Sequence, residues 1–143
     1  MSLRKLNKLR SFYKSVSNLP ILNFWNYLYL LRFPFIIVNP FKFIYFLIFP
    51  NQNKFINVRT PIGNVKIKMR NRESARTLYS IFIRKDYPLD KKVHHIIDLG
   101  SNIGISAIYF LTRNKQNSAS LYEADPRNLS YLKENLAPYI KRS

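Results

Sequence analysis

The chain has 143 residues, enough for one domain with its own core but short for a complete doubly wound enzyme. Twenty-four Lys and Arg stand against seven Asp and Glu, a net charge of +17, and the absence of cysteine excludes disulfides, Cys-ligated zinc and a thiol nucleophile. Basic and acidic residues number 7 and 0 in residues 1–50, 11 and 3 in 51–92, and 6 and 4 in 93–143, so the surplus lies early and would attract phosphate polymers or anionic lipid alike.

Residues 3–17 place Leu3, Leu6, Leu9, Phe12 or Tyr13 and Val16 at spacings of three and four, with Arg4, Lys5, Lys8, Arg10 and Lys14 between them. That is a basic amphipathic helix pattern, open to four readings: a helix lying on its own domain, one on an anionic membrane surface, an organelle-targeting segment, or a disordered stretch. Residues 19–50 are strongly apolar and aromatic, but Asn23, Asn26, Arg32, Pro34, Asn39, Pro40 and Lys42 interrupt them. No uninterrupted run reaches the roughly 20 residues a spanning helix needs. Two short helices broken at Asn39-Pro40 are expected, packed on a partner domain or lying in a membrane interface, where Trp25 and the tyrosines would be comfortable.

From Asn53 the pattern alternates, and Pro61-Ile62-Gly63-Asn64 supplies turn chemistry, so a β-hairpin is expected. Val65, Ile67 and Met69 fall on one face of its second arm and Lys66, Lys68 and Arg70 on the other. The basic face reads as a solvated sheet surface or, alternatively, a phosphate-contacting one. In residues 73–84, Ala75, Leu78, Tyr79 and Phe82 recur at helical spacing with Ile81 widening the stripe, up to a turn at Lys85-Asp86-Tyr87-Pro88. His94 and His95 are adjacent in an apparent strand, where side chains alternate faces, so no metal site is expected.

The stretch from His94 to Asn128 reads as strand, glycine turn, helix, strand and acidic turn. Gly100 and Gly104 would let the chain approach a ligand without a Cβ in the way, and Asn102 between them is a residue type that accepts positive φ. A G-x-G-x-x-G fingerprint from Gly100 would need glycine where Asn102 and Ile105 stand, and no G-x-x-x-x-G-K-S/T occurs. Nicotinamide, flavin and P-loop readings are thereby disfavoured. Glu123, at the tip of the second strand, is placed to accept hydrogen bonds from both hydroxyls of a ribose. Asp125 then caps the next helix, with Pro126 at its first position.

The run IIDLGSNIGIS followed by LYEADPRNLSYLKENL resembles motif I and the acidic strand end of S-adenosylmethionine-dependent class I methyltransferases, most closely the FkbM-type group. The lead-in VRTPIGNVKIKMRN and the RKDYP turn extend the resemblance to residues 55–140. It departs from the group's pattern at Ser101, usually alanine, and at Ala124, usually proline. The resemblance implies that Asp98, Gly100, Ser101, Asn102 and Gly104 form the cofactor turn, with Glu123 and Asp125 beside it. Asp98 would order the loop or reach the amino-acid part of S-adenosylmethionine through water, and Tyr87 would either cover the cofactor or pack.

The implied fold is α/β: the first strands of a mostly parallel, Rossmann-like class I methyltransferase sheet, preceded by a β-hairpin and N-terminal helices. Residues 1–50 form a basic, aromatic-rich helical segment, 51–92 a hairpin and helix, and 93–143 the front half of the cofactor domain. The chain thus reads as a fragment holding the cofactor half-site, with catalytic residues unknown, little or no activity by itself, and Ile96, Ile97 and Leu121 left uncovered on one side.

A hydroxyl of a sugar or other small molecule is the implied acceptor. The implied location is cytoplasmic, with peripheral membrane contact through residues 1–50. A membrane-surface adaptor without catalysis is an alternative class. A nucleic-acid-binding RNA methyltransferase is a further one, disfavoured because the aromatics cluster in the apolar segment and do not interleave with the basic strand.

Overall fold

The computed structural model describes residues 24–49, 54–90 and 92–141; the pattern of residues 3–17 lies outside them, as does the side chain of Trp25. In chain order come α1 (Phe24–Ile36), α2 (Pro40–Ile48), β1 (Lys54–Thr60), β2 (Gly63–Met69) and α3 (Arg72–Leu78), which runs into a π-helical turn (Tyr79–Arg84). Then follow β3 (His95–Leu99), α4 (Ile105–Leu111), β4 (Ser118–Tyr122) and α5 (Pro126–Leu136), closed by a 3-10 turn (Ala137–Tyr139). The architecture is mixed α/β, with an antiparallel β1–β2 hairpin and a parallel β3–β4 sheet.

The break between α1 and α2 falls where Asn39-Pro40 requires it. Asn39 accepts a hydrogen bond from the Lys42 amide at 3.0 Å and Pro40 opens α2, which needs no amide donor there. Ile37, between the helices, forms an isolated bridge to Val58 and is buried, fastening this corner to the hairpin. No helix among the described residues is long and apolar enough to cross a membrane.

Hairpin register pairs Thr60 with Gly63 across the Pro61-Ile62 turn, and Ile56 with Ile67. Val65, Ile67 and Met69 are buried in the core, as alternation requires. On the other face Lys66 sits over the Phe55 ring at 4.0 Å and Lys68 pairs with Glu134 of α5 at 2.5 Å.

Helix α3 begins in a capping box: Asn71 accepts from the Ser74 amide at 3.0 Å, while the Ser74 hydroxyl accepts from the Asn71 amide. In the π turn Ile81, Phe82 and Ile83 are buried in succession and join Ala75 and Leu78 in the core. Lys85 ends it in the left-handed region at φ 63°.

Strands β3 and β4 run in register, Ile97 opposite Ser120 and Leu99 opposite Tyr122. One face, with Ile96, Ala119 and Leu121, packs against the core; the other leaves Ile97 67% and Leu99 77% exposed, and Tyr122 exposed beside them. An uncovered side was expected around Ile96, Ile97 and Leu121, but strand alternation assigns Ile96 and Leu121 to the packed face and uncovers Leu99 and Tyr122 with Ile97.

Candidate functional site

Three positive φ values in five residues define the turn that follows β3: Gly100 at 79°, Asn102 at 50° and Gly104 at 85°. Non-glycine residues other than Asn and Asp rarely adopt this region, which accounts for Asn102 between the two glycines. Gly104 is required twice over, because a Cβ there would also stand 2.9 Å from the Leu132 Cδ1 of α5. At Gly100 the space is open, so its requirement is conformational alone.

The turn is laced to the end of β4. Gly100 and Ser101 amides both donate to the Tyr122 carbonyl, at 2.8 and 3.0 Å. The buried Ser101 hydroxyl donates to the Asp98 carbonyl at 2.8 Å and accepts from the Tyr122 amide at 3.2 Å. Ser101 is thus an internal tie between the strand ends: its side chain is engaged within the protein, and only its position in the turn faces the open space beside it.

Glu123 lies on the other side of that lacing. One carboxylate oxygen accepts from the Asn102 amide at 2.6 Å; the other accepts from the Asp125 amide at 2.8 Å and, more weakly, from the Asn128 side chain at 3.3 Å. These bonds, led by the one from Asp125, hold its pKa below the ordinary glutamate range, so it is a carboxylate at neutral pH. Asp125 accepts from the Arg127 amide at 2.9 Å as the cap of α5, and the Arg127 guanidinium on the same carboxylate lowers its pKa. Arg70 of the hairpin reaches this corner, donating to Asn128 and standing 3.8 Å from Asp125.

Asp98 accepts from the Ser106 hydroxyl of α4 at 2.6 Å, joining the end of β3 to the helix that the turn opens. Beside it is a cleft of about 570 Å³, walled by Ser74, Thr77 and Ile81 of the α3 unit, by Tyr87, by β3 and the turn, and by Ser106 and Phe110 of α4. Asp98, Gly100, Ser101 and Asn102 line the cleft; Gly104, Glu123 and Asp125 do not. Asn102 is the joint, lining the cleft while its amide holds Glu123. Tyr87 lines the cleft half-exposed and stacks at a tilt on Phe110, 5.9 Å between centroids.

The cleft's composition runs against that of the chain. In a polypeptide of charge +17, the lining contains no Lys or Arg, and Asp98 is its one carboxylate. Among the described residues no three His, Asp or Glu side chains come together as metal ligands. His94 faces Asp90 at 2.5 Å, while His95 lies between the Ser118 and Ser120 hydroxyls at 2.8 and 3.1 Å.

Two supporting groups are absent from the sequence reading. Buried Asn135 accepts from the Lys68 amide at 2.7 Å and donates to the Lys68 carbonyl at 3.1 Å and to the Ile103 carbonyl of the turn at 2.8 Å. Buried Asn128 braces Glu123. Each polar residue interrupts the apolar side of α5, and that interruption is the signal that could have found them. Neither known protein families nor curated proteins nor solved structures provide a match to this chain.

Proposed function

We propose that the turn from Asp98 to Gly104, together with Glu123, is the cofactor half-site of an S-adenosylmethionine-dependent methyltransferase with a Rossmann-like sheet. The observation that carries this reading is the charge of the two places that flank Asn102. On one side is a cleft whose charged side chain is the Asp98 carboxylate, with no cation in its lining; on the other is an anionic Glu123 held by backbone amides. Nucleoside di- and triphosphates ordinarily call for Lys or Arg beside the amides of a helix start, and the lining of this cleft has neither cation. A ligand with a ribose diol at one end and a sulfonium and an ammonium at the other suits both places.

A carboxylate has about four acceptor positions, and in Glu123 two are taken by amides and a third only weakly by Asn128 at 3.3 Å, so one is open and a second is readily yielded to the two hydroxyls of a diol. Asp98 attracts the cationic end, and Ser106 fixes the carboxylate that does so. In methyl transfer the chain's own part is to hold the donor so that the methyl lies in line with an incoming oxygen, with reacting atoms about 3 Å apart. The acceptor proposed from the resemblance is a hydroxyl of a sugar or other small molecule.

Calorimetric titration with S-adenosylhomocysteine and, separately, ATP tests the reading. Binding of the first with displacement by S-adenosylmethionine is expected, and Glu123→Ala should weaken it by about 10- to 100-fold, the worth of charge-assisted hydrogen bonds to the diol. Tighter binding of ATP, or full affinity in Glu123→Ala, overturns it.

A further inference from the structure

The α1–α2 corner carries a surface that the cofactor half-site does not use. Helix α2 has nine residues and buries only Phe43 and Phe46; Phe41, Ile44, Tyr45 and Ile48 project from the opposite side, where a water-facing helix would be polar. Phe41 is 83% exposed, and at the neighbouring end of α1 Phe35 is 75% exposed with Leu31 open beside it. Phe49 is exposed too, its ring 5.2 Å from that of Tyr45. Aromatic side chains cover about 150–250 Å² each, so the uncovered area exceeds the few hundred Å² normal for a monomer surface.

The charged residues of α1 and α2, and the side chains that donate to carbonyls at their ends, are all basic. Exposed Arg32 and Lys42 stand on the two helices, Arg59 donates to the Pro34 carbonyl at 2.8 Å, and Arg72 donates to the Ile48 carbonyl at 2.9 Å. Counting along the sequence, the first acidic residue is Glu73. A protein partner surface is ordinarily mixed in sign at its rim, whereas aromatic and aliphatic residues ringed by cations alone match a membrane interface, with acyl chains below and anionic headgroups above.

We propose that the α1–α2 corner docks the protein on an anionic lipid surface, Phe35, Phe41 and Ile48 entering the headgroup region and Arg32 and Lys42 facing the lipid phosphates. No helix spans the bilayer in this mode, in keeping with the short lengths of α1 and α2. The contact is independent of the cofactor reading, because none of these residues lines the cleft.

Co-sedimentation of the full chain with phosphatidylcholine vesicles, with and without phosphatidylserine, tests the proposal. Binding to the anionic vesicles is expected to fall with salt and to drop by about tenfold or more in Phe35→Ser/Phe41→Ser, with an unchanged thermal midpoint. Lys42→Glu, on an exposed side chain, should weaken it as well, and serves if the double variant fails to fold. Equal binding to both vesicle types, or wild-type binding in the folded variants, overturns the proposal. So does displacement from the vesicles by stoichiometric RNA, which would make the corner a nucleic-acid surface, or a dimer that the double substitution dissolves.

Discussion

At the scale of single residues the glycine turn separates two requirements that a motif merges. Gly100 and Gly104 share positive φ, but only Gly104 lies against α5. Gly100→Ala should therefore cost about 1–2 kcal/mol, the left-handed penalty alone. Gly104→Ala must in addition displace the end of the Leu132 side chain, so it should cost more than Gly100→Ala by about 1 kcal/mol, the low end of overpacking penalties, and urea unfolding of the two variants measures the difference.

Glu123 provides a second test at this scale. Its pKa is lowered in the folded protein, so the stability it contributes is present at neutral pH and is lost as pH falls through the folded-state value. Thermal unfolding between pH 7 and 3 should show a decline below about pH 4 that is shallower in Glu123→Gln. An equal decline in both would place the acid sensitivity elsewhere, with Asp125 and Asp90, also lowered, the next candidates.

Among the elements, α5 does more than cover the sheet. Asn135 completes both hydrogen bonds of Lys68 on the outer edge of β2, as a neighbouring strand would, and spends its remaining proton on the turn at Ile103. At Lys68 the hairpin edge is thereby paired without a third strand. Asn135→Ala would leave partly buried main-chain groups unpaired and should cost about 1–3 kcal/mol. Asn135→Asp should cost at least as much, because a carboxylate cannot donate to the two carbonyls. Chemical denaturation of both variants checks the order.

The hairpin, its buried face, the break at Asn39-Pro40 and the α5 cap at Asp125 were all legible in the sequence, because each follows from local chemistry: alternation, a proline, a capping side chain. The role of Asn102 was legible for the same reason. What escaped depends on neighbours distant in the chain. Asn135 acts on Lys68, 67 positions away, and no periodicity reveals which strand edge an asparagine will meet. Ser101 looks like any small turn residue until Tyr122 is seen to use its hydroxyl. The π turn buries Ile81, Phe82 and Ile83 in succession, and no helical stripe read from the sequence announces a π turn.

Across the whole molecule, charge and chemistry are segregated: the apolar, cation-ringed corner belongs to a stretch without acids, and the acidic groups Asp98, Glu123 and Asp125 gather around one turn. That turn is held in shape by Glu123, which accepts from the Asn102 amide at 2.6 Å. A group suited to receive a ligand thus also serves as the latch on its own loop. Folding has already ordered the backbone there, so a visitor meets a rigid seat and capture should be limited by encounter, while escape is governed by how readily the latch shares its oxygens.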